Sequence, residues 1–219
     1  MNIRIHRQLF YPVLFFTCLI AIIPLRLTLG QEDNEIQNRI AIEKMRDKEL
    51  QPERILDLIG LQKGMIIGEA GAGHGYLTFK LSKRIGGTGM VYANDIETEV
   101  LGYIENKCRS ENIMNITTVL GKVDDPLFPK SELDMVFVFD CLFEFSHPIE
   151  WMRNTKKYLK SAGILVIVDP NKGRFQRGDH FLTREQILSF ASEAGYTPAG
   201  EVDDSFLNRH MIIVLKPEK

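Results

Sequence analysis

The segment Ile66-Ile67-Gly68-Glu69-Ala70-Gly71-Ala72-Gly73-His74-Gly75-Tyr76-Leu77-Thr78 constrains this chain more than any other. A short apolar run ends in an acidic residue, glycines follow at alternate positions, and a helix-forming stretch begins behind them. The pattern predicts a strand, a tight turn and a helix. Glycine admits positive φ and lets a ligand approach the backbone without meeting a Cβ atom. The N–H groups at the start of the next helix are expected to face that ligand.

The spacing selects among ligands. A dinucleotide loop reads G-x-G-x-x-G and serves a pyrophosphate. Here it is G-x-G-x-G, with Glu69 two residues ahead of Gly71. A carboxylate at that point repels a pyrophosphate and favours a cationic or ammonium-bearing ligand. S-adenosylmethionine carries a sulfonium and an amino group and no phosphate. Asp95 closes the apolar run Met90–Asn94, at the offset of about 20 residues where an acidic side chain reaches a ribose diol. Its rival role is to cap the next helix.

Glu69-Ala-Gly-Ala-Gly-His-Gly75, Asn94-Asp95-Ile96, Gly121-Lys-Val-Asp-Asp-Pro126 and Glu144-Phe-Ser-His-Pro148 resemble successive motifs of class I S-adenosylmethionine-dependent methyltransferases. The last two are similar to a narrower group of small, often exported methyltransferases of unassigned substrate. The resemblance implies an α/β Rossmann-like fold: a seven-stranded, mostly parallel sheet with the last strand antiparallel and helices on both faces. It also implies S-adenosyl-L-methionine as cofactor, held by Glu69, Gly71, Gly73, Gly75, Asp95, Ile96, Asp124 and Asp140. By motif alignment Asp124 meets the adenine amino group; the bland alternative is that Asp124-Asp125-Pro126 is only a capped turn. Cys141 and Leu142 would lie beside the methionine moiety. Gly68, where the family carries a larger apolar residue, is expected to loosen the packing of the first strand.

Periodicity supports the same architecture. Strands are expected at Met65–Gly68, Met90–Asn94, Thr117–Leu120, Met135–Phe139, Ile164–Val168, Tyr196–Val202 and His210–Leu215. Helices are expected at Ile36–Lys48, after Pro52, and at Gly75–Ile85, Glu97–Glu111, Ile149–Leu159 and Arg184–Ala194. Such alternation specifies an α/β sheet with right-handed crossovers. The uninterrupted apolar run Met135–Phe139 suits a strand covered on both faces.

The ends and the composition bound the rest. Arg4 and Arg7 precede an apolar run, Leu9–Pro24, and small residues follow at Thr28 and Gly30, the pattern of a secretory signal or an uncleaved signal anchor. Residues 1–30 are therefore expected to be a signal, 31–50 a helical connector and 51–219 the methyltransferase domain. Export, or membrane association through residues 9–25, is the expected localisation. With a net charge of −2 and no basic block, no nucleic-acid partner is expected. Cys18 leaves with a cleaved signal, and Cys108 and Cys141 read as small buried hydrophobes rather than a disulfide framework. No metal site is predicted, and the oligomeric state is open.

Acceptor chemistry is less legible. Glu144, His147 and His180 are the candidate catalytic residues, because the segment after the fourth strand faces the acceptor in this fold and histidine titrates near neutrality. His210 reads as packing or surface polarity, and Asp169 as a residue on the pocket rim. The leading expectation is transfer to a small-molecule or lipid-like acceptor. A protein-carboxylate (isoaspartyl-type) methyltransferase is a rival, from the likeness of Gly73–Thr78 and Gly86–Tyr92 to that pattern. An exported, non-catalytic S-adenosylmethionine-binding module is another.

Overall fold

A computed structural model describes residues 37–129, 131–174 and 180–218. The chain divides into two compact units, residues 1–46 and 47–219. Residues 37–50 are helical (α1). The expected signal, residues 1–30, lies outside the described residues. Among those that are described, no helix is long and apolar enough to cross a membrane.

The second unit is built on a seven-stranded sheet in the order β3-β2-β1-β4-β5-β7-β6. Its strands are β1 Ile66–Ala70, β2 Met90–Asp95, β3 Ile116–Leu120, β4 Leu133–Phe139, β5 Leu159–Pro170, β6 Tyr196–Pro198 and β7 His210–Pro217. β1 to β5 pair in parallel, and β7 enters antiparallel between β5 and β6. The helices are α2 Pro52–Leu58, α3 Thr78–Ile85, α4 Thr98–Glu111, α5 Pro148–Thr155 and α6 Arg184–Glu193.

The two-residue period of a strand explains the apolar run of β4. Val136 and Val138 pack towards Trp151 and Met152 of α5 and Ile187 and Ala191 of α6. Met135, Phe137 and Phe139 belong to the opposite core, with Ile55 and Leu56 of α2 and Leu81 and Ile85 of α3. The one polar residue of β4, Asp134, lies near its start and accepts the Ile66 N–H and Lys160 Nζ.

Four expectations change at this level. Gly68 does not loosen β1: a Cβ there would stand 2.7 Å from Cζ of Phe128 and 2.9 Å from Cδ1 of Leu133. The missing side chain is the space that the buried Phe128 ring fills. α3 starts at Thr78 rather than Gly75, because Gly75 has φ 84° and cannot be helical. β6 is shorter than expected, Tyr196–Pro198, with one further bond to β7 from the Ala199 N–H to the Val214 carbonyl at 2.8 Å. β5 begins at Leu159, five residues early, because its register against β4 shifts between Leu133 and Met135 and admits a polar excursion. Nothing in a hydrophobic pattern signals that excursion.

Candidate functional site

The register brings the carboxyl ends of four strands together. Ala70 pairs with Asn94 and with Val138, and Asp95 with Leu120. In open α/β sheets ligands bind in the crevice beyond such ends, where strand order reverses; here that point lies between β1 and β4.

Glu69 is the central residue of this crevice. It is 2% exposed, and its Oε2 has no hydrogen-bond partner. Burial pushes its carboxyl up to about 8; Thr78 beside it counters this in part, and the charge of Asp95 adds to it. The Thr78 hydroxyl is likewise buried without a bond of ordinary geometry. A buried carboxylate without a partner is costly, so the position calls for a cationic ligand group.

The glycine loop is braced by β2 rather than left with free donors. Ala72 donates its N–H to the Asn94 carbonyl at 2.9 Å, Gly73 to Oδ2 of Asp95 at 2.8 Å, and Gly75 to the Ala72 carbonyl at 2.9 Å. The expectation that loop and helix N–H groups face the ligand is corrected for these three: they are already satisfied, as suits a ligand without phosphate. All three glycines have positive φ, but they serve different ends. A Cβ at Gly71 would lie 2.5 Å from Sγ of Cys141, and one at Gly75 2.5 Å from the Phe79 ring. At Gly73 a Cβ would meet nothing within 4 Å. Gly71 and Gly75 are required by packing; Gly73 opens onto free space.

Asp95 braces both the start of α4 and the glycine loop. Oδ1 accepts the Glu97 N–H at 3.1 Å at the start of α4, while Oδ2 holds Gly73. Each oxygen keeps a lone pair for a further donor. Ile96, next in sequence, is 55% exposed and offers an apolar surface. Asp124 and Asp125 divide sharply. Asp125 accepts from Leu127 N–H (3.0 Å), Tyr158 hydroxyl (2.7 Å) and Lys157 Nζ (2.5 Å). Burial alone would raise its carboxyl, but these donors outweigh it and hold it below the usual range. The Asp124 carboxylate takes no bond among the described residues, so only Asp124 is available to a ligand. Asn94 carries out a task that sequence reading missed. Its buried amide donates to the carbonyls of Val119 (3.1 Å) and Pro126 (2.8 Å) and lies where a Cβ of Gly121 would be, fixing the β3 loop.

On the β4 side, Asp140 has φ 58°, and its N–H donates to the Val168 carbonyl at 2.7 Å. Its Oδ1 lies 3.4 Å from Nε2 of His210. His210 is 8% exposed, so its reading as surface polarity is corrected: it backs Asp140 from β7. Asp169 is not on a rim but fully buried, and it accepts the N–H groups of Cys141, Leu142 and Phe143. Cys141 is buried, its thiol donating to the Ala70 carbonyl at 3.4 Å and pushed up well above its usual range by burial; Cys108 is half-buried. Buried Asp204 is clamped by Arg174 and Arg184, and Arg174 also donates to the Leu207 and His210 carbonyls.

The candidate catalytic residues share this side only in part. Glu144 ends a short 3₁₀ turn and is exposed. His180, also exposed, is stacked with Phe181 at 4.0 Å between centroids and lies 5.8 Å from Phe143. Phe143 and Phe181 meet edge to face at 5.0 Å. His180 is thus brought against the residue next to Glu144. His147 is exposed at the N-cap of α5, where its side chain makes no cap bond. Among the described residues, no group of three or more His, Cys, Asp and Glu is placed to hold a metal. A cavity of about 610 Å³ near Lys83, Met90 and Met114 lies at the opposite, amino end of the strands and takes no part in this site.

A family model described as a methyltransferase domain matches residues 61–197, which include every element from β1 to α6. The chain belongs to that family. It has the fold of the class I S-adenosylmethionine-dependent methyltransferases, which implies S-adenosylmethionine as cofactor. The residues of this methyltransferase domain fit that cofactor, since the orphaned Oε2 of Glu69 and the open space at Gly73 suit a compact ligand bearing an ammonium group. The ubiquinone/menaquinone biosynthesis C-methyltransferase UbiE of Vibrio parahaemolyticus is 28% identical over 118 residues, 53% of this chain and 46% of that protein. The chain spans about half the length of the curated relatives it matches. A SAM-dependent methyltransferase from Aquifex aeolicus has a TM-score of 0.70 at 23% identity, over 78% of this chain and 91% of that one. A TehB-like SAM-dependent methyltransferase from Corynebacterium glutamicum has a TM-score of 0.63 at 14% identity, over 86% and 99%. At these identities the two structures speak for the fold.

Proposed function

We propose that this methyltransferase domain transfers a methyl group to a planar, lipid-like small molecule of quinol type, entering over the ends of β4 and β5. The observation that carries the reading is the aromatic ledge of Phe143, His180 and Phe181 beside the β4 loop. Edge-to-face and stacked aromatic contacts favour a flat ring over a charged peptide. The names of the UbiE relatives support the same acceptor class.

When bound, S-adenosylmethionine supplies an electrophilic methyl on its sulfonium. In the proposed arrangement Glu69 pairs with the ammonium group, Asp95 accepts from the ribose hydroxyls, Ile96 lies against the adenine and Asp124 accepts from its amino group. Gly71, Gly73 and Gly75 shape the loop, with Gly73 at the point of closest approach. Asp140 borders the methionine end. Methylation at oxygen needs an acceptor stripped of its hydroxyl proton. At carbon the same deprotonation makes the ring carbon nucleophilic, and the proton on that carbon then returns to the oxygen as the ring regains aromaticity. His180 or Glu144 takes the hydroxyl proton, with His147 farther along the same segment. Alignment of the two reactants supplies the larger part of the acceleration.

A direct test uses methyl-labelled cofactor with two acceptors, a naphthoquinol bearing a free ring carbon and an isoaspartyl peptide. Label is expected in the quinol. Label in the peptide alone would replace this reading by protein-carboxylate methylation, and tight binding of the product nucleoside with no transfer to either would point to a binding module. We further propose that residues 9–25, outside the described residues, carry the chain to a membrane or across it, where such an acceptor partitions. Recovery of the full-length chain in the supernatant after membrane pelleting would overturn that.

A further inference from the structure

Asp169 stands outside every role given so far, yet it is bonded as completely as any side chain in the domain. It ends β5, is 0% exposed, and lies one strand away from the crevice. Oδ1 accepts the Cys141 N–H at 2.9 Å and the Leu142 N–H at 3.3 Å; Oδ2 accepts the Phe143 N–H at 3.1 Å. Three successive N–H groups turned onto one carboxylate force the chain to curl immediately after β4. Asp140, just before the curl, takes a left-handed φ of 58°, which Asp adopts more readily than most non-glycine residues. Phe143 and Glu144, at the end of the curl, are thereby carried out towards His180 and Phe181.

We propose that Asp169, as a carboxylate, is the positioning residue for the acceptor side of the site: it sets the 140–144 segment in the geometry from which methyl transfer occurs, without touching either reactant. This rests on the methyltransferase reading above. The argument is one of hydrogen-bond capacity. An ionised carboxylate is acceptor-only and can serve three donors, whereas a protonated carboxyl presents one O–H and loses acceptor capacity on that oxygen. Burial raises the Asp169 carboxyl to about 7; the N–H groups of Leu142, Cys141 and Phe143 pull it down, and the charge of Asp140 pushes it up. Four other titratable groups face this region: Asp140 and Cys141 after β4, His210 from β7 and Glu69 from β1. On acidification Asp169 gains a proton and the curl loses at least one anchor, so turnover falls while the β1–β2 half of the site is left as it was.

The experiment has a part that needs no acceptor. In the full chain at 25 °C, the backbone amide protons of Cys141, Leu142 and Phe143 should move upfield together as pH falls through neutrality. In Asp169→Asn, which places an NH₂ opposite one of those donors, the shared titration should vanish. Product nucleoside affinity should change less than about 10-fold, as Asp169 bonds none of the cofactor residues and reaches the loop only through Cys141, whose Sγ lies at Gly71, while kcat on the methylated acceptor falls about 100-fold with its acid limb removed. Amides of 141–143 that ignore pH in the parent protein overturn the proposal. So does an Asp169→Asn enzyme with unchanged kcat and an unchanged pH profile, whatever its melting temperature. Failure to find any methylated acceptor would remove the function proposed above but leave the amide titration to decide the role of Asp169.

Discussion

Glu69→Gln is expected to yield a chain that is more stable above pH 8 and binds its cofactor far more weakly, with no pH dependence left in the binding. The Glu69 carboxyl has a folded value of about 8 against an ordinary 4.5, chiefly because it is buried. An acid whose value is raised on folding contributes stability that is fully present below the unfolded value and is lost as pH rises through the folded one. The ligand-free protein should therefore melt at progressively lower temperature between pH 5 and pH 9. Asp169, raised to about 7, acts with the same sign over the lower part of that window. Glutamine has nearly the same shape without the charge, so the Glu69→Gln melting curve should flatten between pH 7 and pH 9.

Binding runs the other way. An ammonium group needs the ionised carboxylate, and below pH 8 the free protein holds that site protonated. Affinity for S-adenosylmethionine should then rise about 10-fold per pH unit up to pH 8 and level off, with close to one proton released per ligand at pH 7. Calorimetry in two buffers of different ionisation enthalpy measures the released proton directly. In Glu69→Gln the release should be zero and the affinity about 100-fold lower, the scale on which a charge-assisted bond in a dry site contributes, ~3 kcal/mol. A parent protein that binds the cofactor with equal affinity at pH 6 and pH 8 would show that Glu69 does not face it.

The second large effect separates two glycines of one loop. Gly71→Ala is expected to destabilise the domain by about 3 kcal/mol, since the new Cβ meets Cys141 Sγ at 2.5 Å and the residue must also hold φ 66°. Gly73→Ala carries only the conformational penalty, about 1 kcal/mol, because nothing lies within 4 Å of its Cβ. For function the consequence is different. The methyl of Gly73→Ala points into the space assigned to the cofactor, and a folded variant should lose more than about 10-fold in affinity. Urea denaturation and calorimetry on the two variants read both quantities. Equal losses of stability would refute the packing argument, and unchanged affinity in Gly73→Ala would refute the assignment of the open space.

Much of this protein can be read in one dimension because its decisive features are local. The glycine loop and Glu69 are contiguous, and Asp95 sits at the offset that one strand–helix–strand unit dictates. The alternation of apolar strands and amphipathic helices then leaves few topologies. Local signals also singled out His180 and Glu144, although they did not show that Phe143 packs against His180.

What tertiary structure decided are pairings across long separations in sequence. Asp169 looked like a pocket residue because a carboxylate at a strand end usually faces solvent; its three N–H partners lie 26 to 28 residues upstream. His210 is 70 residues from Asp140 and meets it only because β7 enters beside β5. Asp125 rather than Asp124 is spent on structure because Lys157 and Tyr158 happen to arrive beside it. Gly68 reads as a defect until Phe128 is seen to occupy its place. Periodicity and spacing report which backbone a segment adopts, since that energy is local. Which buried polar group finds which partner depends on desolvation and chain topology together, and those are properties of the assembled sheet.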